Sequence, residues 1–150
     1  MKTGRAARPD SAAIKELLAI KEVLVIKEVL AVRQVCSWCL SYPDEELLGR
    51  RELLSAVLTE LPHDQRQRLA RFLDHLDATP LDQLRAQYVD TFDLNRGQTL
   101  YLSYWTDGDT RRRGEVLARF KQRYRDSGFL VNTRGELPDH LPLVLEYAAV

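Results

Sequence analysis

Leu69, Phe72, Leu73 and Leu76 fall at i, i+3, i+4 and i+7. That spacing gathers four apolar side chains on one face of an α-helix and on no single face of a strand. The pattern recurs along the chain, in Leu47, Leu54, Leu58 and Leu61 before Pro62, in Leu81, Leu84, Tyr88 and Phe92 after Pro80, and in Val116, Leu117, Phe120 and Tyr124 before Ser127-Gly128. No stretch alternates apolar and polar residues between hairpin turns, so a sheet is not expected. The sequence therefore predicts an all-α fold. With 150 residues, 45% of them hydrophobic, one domain can bury a core without disulfide or metal staples.

About six helices are expected in a single bundle. The first follows a flexible basic N-terminus over residues 1–13 and runs through Leu40. Its residues 14–31 hold three copies of a hexad, each beginning Ile-Lys-Glu, at Ile14, Ile20 and Ile26. Six residues advance 600° around a helix, so equivalent positions step by 120° and apolar side chains reach every side. A helix that is sticky all round can pack against a second copy of itself, and a homodimer through this segment is one expectation. Pro43 and Asp44 close this helix and open the next, which runs to Leu61, and a third follows Pro62. Thr79, Pro80 and Asp82 read as cap, first-turn proline and capping-box acid of a fourth. Residues 94–109 read as irregular, Asp109 or Thr110 as the cap of a fifth helix, and Asp139 as the cap of the last.

The 22 basic and 22 acidic residues cancel, which argues against nucleic acid or an anionic membrane as partner. Charge is still uneven: residues 44–93 hold eleven acids and six bases, and residues 111–126 hold seven bases and two acids. The Lys-Glu pairs interrupt the apolar N-terminal run, so neither a signal peptide nor a membrane span is predicted. Two cysteines, Cys36 and Cys39, suit a reducing cytoplasm. Their place inside a helix favours buried small hydrophobes over a redox pair, which needs a helix N-terminus. Glu60 and His63 straddle Pro62 and lack the second Glu-x-x-His of a di-iron bundle, so no metal or other cofactor is expected.

The densest chemistry is Glu136-Leu137-Pro138-Asp139-His140, two carboxylates and an imidazole within five residues. A small hydrolase or nucleotide-using protein centred on Asp139 and His140 is one reading, although no nucleophile or oxyanion donor stands nearby in sequence. The other reading is structural, with Asp139 capping the last helix, Pro138 setting its entry and His140 in its first turn.

The run Tyr88-Val89-Asp90-Thr91-Phe92-Asp93, then Thr99-Leu100-Tyr101-Leu102-Ser103-Tyr104, then Gly108-Asp109-Thr110-Arg111-Arg112-Arg113-Gly114, and finally Glu136-Leu137-Pro138-Asp139-His140 together resemble the NarJ family, the nitrate reductase delta subunits. The resemblance covers the chain from about Val32 to its end. It implies an all-helical cytoplasmic assembly chaperone, not an enzyme. Such a chaperone binds the N-terminal segment of the nitrate reductase catalytic (alpha) subunit until the molybdenum cofactor is inserted. In the wider group of redox-enzyme maturation chaperones, an aromatic helix motif and an acidic-histidine motif border the peptide groove. The resemblance thus points to Tyr88 and Phe92, and to Glu136, Asp139 and His140. On the chaperone reading that it implies, Tyr88, Phe92, Tyr101 and Leu102 form an apolar trough, and Asp90, Asp93, Glu136 and Asp139 receive the basic residues of the client. Thr91 replaces a frequent leucine of the wider group, and the chain ends at Val150 where relatives are expected to continue with further helices.

Overall fold

The computed structural model describes residues 11–108, 110–129 and 131–150. Among these, 29 residues form the first helix, α1 (Ser11–Cys39). The expectation of a flexible tail falls on residues 1–10, outside the described residues, while residues 11–13 already belong to α1. There follow α2 (Glu45–Gly49), α3 (Arg51–Glu60), α4 (His63–Ala78) and α5 (Leu81–Tyr88). A π turn (Val89–Asp93) and a 3-10 turn (Arg96–Gln98) lead to α6 (Leu102–Asp107), α7 (Arg111–Asp126) and α8 (Leu141–Tyr147). The fold is all-α, and no strand forms among the described residues.

Among the described residues eight α-helices stand where about six were expected, for two local reasons. Asp44 caps α2 by accepting from the Leu47 amide at 2.8 Å, with Glu45 and Glu46 favourably placed in the first turn. The continuous helix expected through Leu61 breaks after Gly49, the weakest helix former of the stretch. Arg50 leaves helical geometry (ψ 2°), and its guanidinium lies over the Trp38 ring, 4.7 Å from the centroid. The second reason is α6, which occupies part of the stretch read as irregular.

Other local expectations are corrected. Thr79 does not cap α5. Pro80 holds the cap position without a side-chain bond, and the Thr79 hydroxyl turns back onto His75 Nδ1 at 3.3 Å. Beyond Tyr88 the helix widens, so that the Leu94 amide donates to Val89 O at 2.9 Å. Thr110 stands at the N-cap of α7 with no side-chain cap bond, and Asp109 lies outside the described residues. Asp139 does not cap α8; His140 occupies that position.

One core joins α1 to α5 through Val35, Leu47, Leu54, Leu58, Leu73, Leu76 and Leu84, with Trp38, Cys39 and Phe72 packed against it. Each fully buried leucine contributes about 1.5–3 kcal/mol. The antiparallel pair α3 and α4 is tied at one end by a two-toothed ion pair from Arg51 to Asp77 at 2.6 and 2.7 Å. The C-terminal half packs around Leu100, Tyr124 and Leu143. It meets α1 where the buried Ser37 hydroxyl donates to Pro142 O at 2.7 Å and Arg33 donates to Ala148 O at 2.8 Å. The N-terminal part of α1 extends past this body with Leu17 65%, Leu24 59% and Ile26 58% exposed. Among the described residues no helix is long and apolar enough to cross a membrane.

Candidate functional site

Two segments far apart in sequence are zipped together. The Leu102 amide donates to Asp139 O at 3.1 Å and the Leu141 amide to Leu100 O at 2.8 Å, which leaves Tyr101 opposite His140 in an isolated antiparallel bridge. Their rings lie 5.2 Å apart, and the Tyr101 hydroxyl donates to Glu136 Oε2 at 2.7 Å. The Tyr124 hydroxyl fixes the approach to this bridge by donating to Pro138 O at 2.6 Å.

Asp139, adjacent to the bridge, is wholly buried. Its Oδ2 accepts from the Ser103 amide at 2.8 Å and from the Ser103 hydroxyl at 2.5 Å. Ser103 lies in the first turn of α6, so Asp139 satisfies an orphan helix donor from 36 residues away. Arg113 Nε donates to the Ser103 hydroxyl oxygen at 3.1 Å, and its guanidinium lies 5.8 and 5.9 Å from the centroids of Tyr101 and Tyr104.

The bridge forms one wall of a cavity of about 290 Å³. Tyr88 and Asp93 come from the end of α5 and the π turn, Tyr42 and Asp44 from the linker before α2, and Glu146 from α8. The loop 132–134 closes the rim beside Glu136 and His140. Tyr88 is held by its hydroxyl on Leu40 O at 3.2 Å and by edge contacts to Phe92 (4.9 Å) and Tyr42 (5.4 Å). On its other side lies a more apolar groove of about 440 Å³, whose walls include Cys39, Leu69, Phe72, Leu84, Thr91 and Phe92. Tyr88 thus separates an acidic, tyrosine-rich pocket from a greasy one.

Electrostatics follow from this burial. Desolvation raises the Tyr88 phenol, and nearby Asp93 and Glu136 raise it further. Desolvation likewise raises Tyr101, followed by its bond to Glu136. Both remain hydroxyl donors at neutral pH. Burial lowers the His140 imidazole, against the opposing pull of Glu136, Asp139 and Asp93. The ring is therefore neutral at pH 7 and carries an acceptor nitrogen. Burial, with Cys36 beside it, pushes the Cys39 thiol up to about 12, so this pair is packing material and not an activated thiol.

Of the residues singled out in the sequence, Tyr88, Asp93, Tyr101, Glu136 and His140 line the acidic pocket, while Phe92 lines the apolar groove. Leu102 is half-buried beside the bridge, Asp90 is exposed, and neither borders the two cavities. Asp139 faces Ser103 and offers no open carboxylate. Tyr42, Asp44 and Glu146 were not singled out. Asp44 reads, with Pro43, as a helix boundary, and nothing in the sequence marks Tyr42 or Glu146. Among the described residues no group of three or more His, Cys, Asp or Glu could hold a metal ion.

The sequence pattern of the family described as nitrate reductase delta subunit matches residues 58–150. The nitrate reductase-like protein NarX of Mycobacterium tuberculosis is 46% identical over 110 residues, which are 73% of this chain and 16% of NarX. The probable nitrate reductase molybdenum cofactor assembly chaperone NarJ of Bacillus subtilis is 40% identical over 75% of this chain and 61% of its own length. The corresponding chaperone NarJ of Escherichia coli is 38% identical over 77% of this chain and 50% of its own length. The chain thus spans less than two thirds of each of these relatives.

Proposed function

This chain belongs to the nitrate reductase delta subunit family, and from that premise we propose that it is an assembly chaperone and not an enzyme. It works in the cytoplasm, where it holds the N-terminal segment of the nitrate reductase catalytic subunit while the molybdenum cofactor is inserted. One observation carries this reading: the acidic-histidine motif and the aromatic helix motif border one open pocket, with the apolar groove adjoining it across Tyr88. An amphipathic client segment lays apolar side chains along Phe92 and the groove, and its basic side chains meet Asp93 and Glu136. Tyr101 and His140 supply the polar floor between them. Leu102 and Asp139 serve from behind, by holding the bridge and α6 in position.

The relatives named as chaperones support the class of function. A hydrolase centred on Asp139 and His140 gains no support, because the Ser103 hydroxyl beside them is 2% exposed and committed to Asp139. Handing a client on requires reversible binding. A micromolar complex, worth about −8 kcal/mol, is retained long enough to protect and still released. The test is complementation of a strain that lacks its own delta-type chaperone. Recovery of molybdenum in the purified catalytic subunit supports the proposal, and a catalytic subunit that stays free of molybdenum contradicts it.

The exposed apolar residues of α1 favour a second, compatible property, self-association through residues 14–31.

A further inference from the structure

We infer that α1 pairs with α1 of a second copy in antiparallel register, through the face formed by Glu16, Ala19, Ile20, Val23, Leu24 and Lys27. The inference rests on the self-association reading and gives it a face, an orientation and a stoichiometry. These six residues recur at helical spacing and line a shallow apolar groove of about 370 Å³ on the part of α1 that extends past the body. Ile20, Val23 and Leu24 are 50%, 50% and 59% exposed there. The hexads carry apolar residues to every side of the helix, but they do not make the sides equivalent. Lys21 falls between Leu17 and Leu24 on one side, and Glu22 between Leu18 and Val25 on another. The face from Glu16 to Lys27 carries its charges at its two ends and only apolar side chains between them.

A palindrome within this face fixes the orientation. About a two-fold axis passing between Lys21 and Glu22, an antiparallel neighbour sets Glu16 against the partner's Lys27, Ala19 against the partner's Leu24 and Ile20 against the partner's Val23. Each acid then meets a base, and the smallest side chain of the face meets a large one, as interdigitating helices require. Parallel pairing in register would set the partner's Glu16 against Glu16, the partner's Lys27 against Lys27 and the partner's Ala19 against Ala19, giving two like-charge contacts and a gap. None of the six residues lines the acidic pocket or the groove beside it. Antiparallel pairing also carries the two bodies to opposite ends of the helix pair, so a dimer keeps both client pockets open.

The experiment is sedimentation equilibrium of the whole chain over a range of concentrations, for wild type, Glu16→Lys, Lys27→Glu and the variant carrying both changes. Wild type is expected to follow a monomer–dimer equilibrium. Each single reversal turns the two symmetric ion pairs of the dimer into like-charge contacts, and should weaken dimerisation on the order of tenfold at low salt. That loss should shrink as salt is raised. The double variant restores the palindrome with its signs exchanged and should regain wild-type affinity. Both positions are exposed, so circular dichroism of all three variants should match wild type. Unchanged affinity in both single variants, no recovery in the double variant, or a trimer or larger species in wild type would overturn the antiparallel face and leave self-association standing. A wild-type chain that stays monomeric at every concentration would overturn both.

Discussion

Removing the Asp139 side chain separates a binding role from a structural one. In Asp139→Ala, Oδ2 disappears from a fully buried position, and the Ser103 amide and hydroxyl lose the acceptor they share at 2.8 and 2.5 Å. Loss of a helix N-terminal acceptor costs about 1 kcal/mol, and a buried hydroxyl left without its charged partner costs about 2 kcal/mol more. The expected destabilisation is therefore about 3 kcal/mol. For a chain of this size that lowers the melting temperature by about 6–12 °C. Asp139→Asn retains an acceptor oxygen, so its cost should stay near 1 kcal/mol and its affinity for client peptide should remain within about twofold of wild type. Calorimetric melting of both variants, paired with peptide titration at a temperature where each is folded, reads the two quantities separately. The reasoning is refuted if Asp139→Asn melts like wild type yet loses peptide affinity tenfold, since the carboxylate would then be a client contact.

His140 gives a pH signature. Its imidazole is lowered by burial and faces Glu136, Asp139, Asp93, Tyr101 and Tyr88, with Asp44, Glu146 and Arg134 elsewhere in the pocket. The unfolded chain therefore takes up a proton first. Stability is complete above about pH 6.5 and declines as pH falls below it toward the lowered folded value. If the pocket receives the basic side chains of the client as proposed, protonation also adds like charge to it, so client affinity should fall over the same window. His140→Gln should remove most of both dependences, and unchanged profiles would count against the assignment. Phe92 is half-buried, so Phe92→Ala should cost about 1–2 kcal/mol, less than a full core deletion, while weakening peptide binding. A melt that drops by the full core amount without change in affinity would make it packing only. Light scattering should give a larger mass for the whole chain than for a version beginning at Val32, and equal masses per chain would end the self-association reading.

The parts of the fold that were legible in the sequence are those whose stabilising partners are local. Leu69 to Leu76 on α4, Val116 to Tyr124 on α7 and Asp44 at the start of α2 all work within a turn or two of themselves. What escaped depends on distant residues. α6 has no cap in its own neighbourhood, because its acceptor is Asp139, and the same bond explains why Asp139 does not cap α8. The widening at Val89–Asp93 leaves no mark in periodicity, since apolar spacing constrains which face is buried and not whether one turn has an extra residue. Tyr88, Asp93, Tyr101, Glu136 and His140 could be grouped because they sit in two dense motifs. Tyr42, Asp44 and Glu146 stand singly among ordinary surface residues, and only the packing of α8 against α1 brings them to the same cavity.

Calorimetric titration of the purified chain with the N-terminal peptide of the nitrate reductase catalytic subunit tests the central claim most directly. The account predicts saturable binding near micromolar affinity that weakens on Glu136→Gln and His140→Gln in variants that melt normally. A folded chain that gives no heat of binding, or binding indifferent to those two substitutions, would contradict it.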